Sequence, residues 1–228
     1  MSKAEAVGKV AVMTDSADQT NRREQQQNVL SDRRRRLGED HPETLIAMLD
    51  LAEILWTQGR LTAARALEQQ VVTTRGRVLG EDHPDTLKAL GKLATTIGAQ
   101  GDLAEARRLQ QQIVEGMRER FGDTGRDTLR AINNLAGTIA AQGDLDGARR
   151  LLEDTAAAME GALGEDDADT LLALGNLAGI LWQQGERAEA YWLQRQVAES
   201  QRRVRGEDDP ATRAVLAILE AMQKEGAG

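Results

Sequence analysis

Apolar residues return at helical spacing in blocks that repeat every 42 residues. From Leu87 onward, Leu90, Leu93, Ala94 and Ile97 fall on one face, the three-and-four alternation of a helix with a single buried stripe. The run stops at Gln100-Gly101-Asp102, where glycine supplies the positive φ of a helix end. A second stripe follows, Leu103, Ala106, Leu109, Ile113, Val114, Met117 and Phe121, and predicts a helix that turns those residues inward and stops at Gly122. Two helices joined by two or three residues pack antiparallel. The first stripe recurs as Leu45, Met48, Leu51, Ala52, Leu55, then as Leu129, Ile132, Leu135, Ala136, Ile139, and again as Leu171, Leu174, Leu177, Ala178, Leu181. Gly59, Gly143 and Gly185 make the equivalent turns, and Ala64, Ala106, Ala148 and Ala190 share one place in the second helix, where a small side chain lets the pair close.

Between the pairs lies one linker in five copies. Leu79 to Leu87 reads LGEDHPDTL, Leu37 to Leu45 reads LGEDHPETL, and weaker copies begin at Phe121, Leu163 and Arg205. A period kept without slippage predicts stacked units in which each covers its neighbour's apolar face. Four regular units span residues 37–210, with helix pairs at about 43–79, 85–121, 127–163 and 169–205. Residues 1–36 read as a degenerate unit, because Ala6 to Asp18 echoes Ala89 to Asp102 and Gln19 to Leu37 stands where a second helix belongs. Residues 211–228 read as a capping helix and tail, with Glu220, Gln223 and Lys224 giving it polar surface.

Composition narrows the chemistry. Aromatics are 2% of the 228 residues, so the seam is built from aliphatics and alanine. With no cysteine, disulfides, thiolate metal sites and cysteine catalysis are excluded. A net charge of −8 with mixed signs opposes general nucleic-acid binding, which needs a basic surface to displace phosphate counterions. No run reaches the roughly 18 apolar residues of a membrane span, and no cleavage signal follows the short apolar patch Val7 to Met13. These features are those of a cytoplasmic protein without a membrane contact.

The spacing Leu90-x2-Leu93-Ala94-x2-Ile97, then Ala106, resembles the tetratricopeptide pattern with aliphatics in place of aromatics. The 42-residue unit and its LGEDHPDTL linker resemble the kinesin light chain subclass over about residues 37 to 224. Two features depart from it: glutamine (Gln110, Gln194) replaces the aromatic late in the second helix, and the subclass's paired asparagines survive only as Asn133-Asn134 and Asn176. The resemblance implies an all-α, right-handed superhelix of about five helix-turn-helix units whose first helices line a concave groove for peptides or partner proteins.

The candidate residues lie on a second stripe beside the core stripe of each first helix. It reads Ile46, Leu49, Glu53, Trp56, then Lys88, Gly91, Thr95, Gly98, then Arg130, Asn133, Gly137, Ala140, and last Leu172, Gly175, Gly179, Trp182. Glycine within a helix costs about 1 kcal/mol relative to alanine, so glycines gathered on one face suggest close approach by a neighbouring helix or a ligand. Trp56 and Trp182, at equivalent positions, are candidate anchors, while Lys88, Arg130 and Asn133 are candidates to engage a partner's carbonyls or acidic groups. The leading expectation is a non-catalytic interaction module for a peptide or helix. A small-molecule receptor or an unrecognised enzyme using the same groove, and a homo-oligomeric scaffold, are the alternatives. No catalytic set, metal site or cofactor is expected. His41 and His83 read as parts of helix starts, in which Pro84 suits the first helical position and Asp82 and Asp85 the positive end of the dipole. The carboxylates of Glu81, Asp82, Asp123, Glu165, Asp166, Asp167, Glu207 and Asp208 read as an exposed acidic edge, and Arg33 to Arg36 as a basic run compensated by Glu39 and Asp40.

Overall fold

The computed structural model describes residues 21–226, which contain ten α-helices and no strand. Helix α1 covers residues 21–37. There follow α2 (Pro42–Thr57), α3 (Leu61–Leu79), α4 (Pro84–Ala99), α5 (Leu103–Phe121), α6 (Arg126–Ala141), α7 (Leu145–Leu163), α8 (Ala168–Gln184), α9 (Arg187–Arg205) and α10 (Pro210–Gly226). The echo at Ala6 to Asp18 and the patch Val7 to Met13 lie outside the described residues.

What cuts the chain into helices is a glycine every 21 residues. From Gly38 through Gly80, Gly122 and Gly164 to Gly206, and from Gly59 through Gly101 and Gly143 to Gly185, each has positive φ, and among the described residues no other residue type does. Restart chemistry differs between copies. At α2 and α4 the N-cap is a histidine, whose Nδ1 accepts from the backbone N–H of Glu43 (3.2 Å) and of Asp85 (3.2 Å). At α8 Asp167 does the same for Asp169 (3.0 Å), and Asp209 for Ala211 (2.9 Å). Gly125 takes this place before α6, because a Cβ there would lie 2.6 Å from the Phe121 carbonyl oxygen. Thr44 and Thr86 close the loop from the other side: each buried hydroxyl donates to the carbonyl of the glycine six residues earlier (Gly38 and Gly80, both 2.8 Å).

The chain divides into two compact units, Met1–Glu105 and Ala106–Gly228. In the first, α2 packs on α3 and α3 on α4. Its core gathers Leu30 from α1, Leu45, Met48, Leu51 and Leu55 from α2, Ala64 and Val71 from α3, and Ala89 from α4. In the second unit, α6 to α10 pack each on the next, and Leu129, Ala156, Met159 and Ala173 form a shared cluster. Every alanine of the series Ala64, Ala106, Ala148 and Ala190 is fully buried. One position differs from expectation. Phe121, read as an inward residue, is 42% exposed, as are Leu37 (40%) and Leu79 (44%) at the same register. Each is the last residue before a linker glycine, where the stripe has run past its core.

Candidate functional site

The stripe beside the core emerges on the surface in both units. In the first unit, α2 presents Ile46 and Trp56 with 46% and 41% of their surface exposed, Leu49 half-buried and Glu53 exposed. On α4, Lys88 and Thr95 are exposed and Gly91 and Gly98 half-buried. Glu53 and Thr95 are held locally. Glu53 accepts from Lys92 Nζ on α4 at 2.9 Å, and the Thr95 hydroxyl turns back to the Gly91 carbonyl at 3.0 Å.

In the second unit the corresponding face, formed by α6 and α8, is tied by charge. Arg130 Nε donates to Asp169 Oδ1 (2.7 Å), while Arg126 reaches both Asp169 Oδ2 (2.6 Å) and Asp167 (2.8 Å). The Asp169 side chain keeps only 10% of its surface, so its charge depends on those two guanidiniums. Hydrogen bonding from Arg126 holds the Asp167 carboxyl below the usual carboxylate range and, reciprocally, raises Arg126. One turn further along, Asn176 Nδ2 donates to Asn133 Oδ1 at 3.1 Å, and Asn133 is buried. Arg130 therefore stays half-exposed on the face while held by α8, and Asn133 reaches the surface only through Asn176.

Past this polar pair the floor opens. Gly137 on α6 and Gly175 and Gly179 on α8 have nothing within 4 Å of where a Cβ would stand. No neighbouring helix requires glycine at these three places. At the end of the α8 stripe, Trp182 is half-buried, and the Arg187 guanidinium lies 3.8 Å from its ring centre, a cation–π contact that fixes the indole. Leu172, at the other end, is 55% exposed.

The linker residues read as a cap behave as local structure. Both imidazoles spend Nδ1 on a backbone N–H. Several acidic-edge carboxylates have arginine partners: Asp123 has Arg118, Asp166 has Arg203, and Glu207 has Arg202 at 3.2 Å. The basic run is compensated by Asp32, Glu39 and Glu43, whereas Asp40 is taken by Arg77 at 2.6 Å. Two features escaped the reading of the sequence. Glu68 on α3 is 4% exposed, and burial pushes its carboxyl above the ordinary range despite the Lys92 charge. Trp192, 56% exposed on α9, occupies the register of Ala66, Arg108 and Arg150; lining up the units would have singled it out.

A family model described as Tetratricopeptide repeat matches residues 44–85 and 86–127, and a second of the same description matches 127–191. Among curated proteins, none matches the sequence. Solved structures do. A repeat protein of Podosopora anserina, described as a kinesin light chain with nearly identical tetratricopeptide-like repeats, aligns at 26% identity and a TM-score of 0.65, covering 84% of this chain and 90% of its own. BtubC (BKLC) from P. vanneervenii aligns at 16% identity and a TM-score of 0.67 over 92% of this chain and 82% of its own. A Rap protein complexed with Competence and Sporulation Factor aligns at 12% identity and 0.67, over 93% of this chain and 62% of its own. At those last two identities the likeness is one of fold. Among the described residues, no helix is long and apolar enough to cross a membrane.

Proposed function

Because the chain belongs to the tetratricopeptide repeat family, in its kinesin light chain-like form, whose repeats serve protein–protein interaction, we propose that it holds a peptide or helix of a partner protein on the exposed face of its first helices. In the second unit that face is α6 and α8. The observation that carries the reading is the trio Gly137, Gly175 and Gly179, each with open space where a side chain would stand. Helix-interior glycine costs about 1 kcal/mol against alanine, and the fold does not call for it at these positions. A partner backbone lying close to both helices does.

The partner's apolar side chains would lie on Leu172 and against Trp182, whose ring is already ordered by Arg187; less entropy is then lost on binding. Arg130, half-exposed beside Asp169, and Asn176 supply donors for backbone carbonyls or a carboxylate. In the first unit Leu49, Trp56, Lys88, Gly91 and Thr95 would extend the same use of first helices, with Glu53 held by Lys92. The chain acts here by holding, without catalysis or a cofactor.

The test begins with mass spectrometry of what co-purifies from the native host, followed by titration of that purified partner. Trp182→Ala should weaken binding by about thirtyfold, the loss typical of one desolvated aromatic anchor. Arg108→Ala, on the second helix α5, should bind as wild type. A normal Trp182→Ala alongside a defective Arg108→Ala would move the partner to the second-helix surface.

A further inference from the structure

Helices α7 and α9 flank α8 in the second unit, and a cleft of about 380 Å³ opens between them over Leu171 and Leu174. Three observations distinguish it from the equivalent places in other units. Leu174 is only half-buried, whereas Met48, Leu90 and Ile132, at its register, are buried. On α7 the lining residue is Glu160, and beside it Gly161, where α3 has Arg77, has nothing within 4 Å of where a Cβ would stand. The opposite wall carries Trp192, more than half exposed, where the other units have alanine or arginine.

The mouth of the cleft departs from a charge pairing that three of the other four linkers keep. Each second helix faces its own linker across five residues. Arg34 pairs with Glu39 at 3.0 Å, Arg118 with Asp123, and Arg202 with Glu207 at 3.2 Å; the remaining regular copy has the neutral Gly76 before Glu81. At this cleft the pair is Glu160 and Glu165, both of which line it. Two negative charges sharing one opening repel. Arg203 answers only part of the excess, because its guanidinium is held by Asp166 and lies 3.6 Å from Glu165. Glu199, also on the cleft, is satisfied by Arg195 at 2.7 Å. Glu160 makes no ion pair among the described residues.

We infer that this cleft is a second protein-binding site, which takes an arginine or lysine side chain of a partner segment together with the apolar residue beside it. The cation replaces the arginine that the register would otherwise supply, lying against Glu160 and Glu165 with its stem or guanidinium on the Trp192 face. The apolar neighbour covers Leu174. The opposite charge pattern, an acidic segment, would meet three glutamates. This site uses Leu171 and Leu174 of α8 and not the stripe through Gly175, Gly179 and Trp182, so it stands independently of the first-helix reading.

Indole resonances of the isotope-labelled full chain test the inference, with Trp192→Phe identifying the Trp192 signal. The probes are the acetylated, amidated peptide Leu-Arg-Leu-Arg and the same peptide with citrulline, a neutral isostere, at each arginine. At millimolar peptide the Trp192 signal should shift saturably with the arginine form, while Trp56 and Trp182 stay still. Citrulline should bind about tenfold more weakly or worse, as expected when a charge-assisted contact is lost. Glu160→Arg, which restores the ion pair of the other units, should abolish the shift and leave thermal stability equal or higher. Glu160→Gln should weaken binding by a smaller factor, and it decides the matter should the arginine variant not fold. A silent Trp192, equal binding of citrulline, or wild-type binding by Glu160→Gln would each overturn the site.

Discussion

The first-helix pairs of the two units are built alike in their cores and differently beside them. In the first unit Lys92 of α4 and Glu53 of α2 form an exposed ion pair across the surface. In the second, α6 and α8 share two arginines, two aspartates and an asparagine pair, with Asp169 and Asn133 buried among them. The contrast teaches where rigidity has been placed. An exposed pair adds little and leaves two long side chains free to move, whereas a network around a buried carboxylate holds the spacing of two helices. The open glycines of the second unit lie on the two helices so held, which is what preorganised binding requires.

The contrast can be broken most strongly at Asp169. Asp169→Ala removes the acceptor shared by Arg126 and Arg130 and should cost about 2 kcal/mol; broken buried pairs run higher, but both half-exposed guanidiniums can rehydrate. Thermal unfolding of the single variant measures it. Acid should act on the same network. Arg126 holds Asp167 below the ordinary carboxylate range, so this contribution is present above that range and is lost as pH falls through the lowered folded value. Arg126→Ala should flatten that part of the acid-unfolding profile.

A second contrast lies in the second helices. Position 68 of the first unit holds a buried glutamate where the second unit holds the buried Gln110, Leu152 and Gln194. Among the described residues, Glu68 Oε2 has no hydrogen-bond partner. Glu68→Leu should therefore stabilise the chain at neutral pH by roughly 1 kcal/mol, the lower end for relieving an unsatisfied buried group. Since burial raises the Glu68 value, the folded state binds the proton more tightly than the unfolded one. The native glutamate is thus least unfavourable in acid, and the gain should shrink as pH is lowered. Equilibrium unfolding of both proteins at two pH values checks both size and direction.

The smallest effect belongs to the exposed pair. In the Glu68→Leu background, where Lys92 has only the exposed pair to lose, Lys92→Ala should change stability by no more than about 0.5 kcal/mol, read from the same unfolding curves. A cost near that of Asp169→Ala would remove the distinction between the two faces.

The fold was legible because its determinants are local and repeated: a glycine that must take positive φ, an apolar stripe at helical spacing, and an alanine at each close contact. The helix starts at His41 and His83 were legible as well, though not the accepting atom, Nδ1 in both, because histidine is an unusual N-cap. Phe121 was misjudged because periodicity says which face a residue occupies but not where along the helix the core ends. The stripe of candidate residues could be drawn from spacing alone, yet the partners of Arg130 and Asn133 lie 39 and 43 residues away. Nothing short of packing α6 against α8 brings them together. Trp192 shows the reverse case, a residue conspicuous only when the units are lined up.

As proposed above, Gly137, Gly175 and Gly179 are open for a partner and not for the fold. The direct measurement replaces all three with alanine in one chain and compares, with wild type, both thermal unfolding and affinity for the co-purified partner. A Cβ at each place meets nothing, and alanine in a helix is favoured by up to about 1 kcal/mol per site. The triple variant should unfold at higher temperature and bind at least about tenfold more weakly. A variant equally or more stable that binds its partner as wild type does would contradict the proposal.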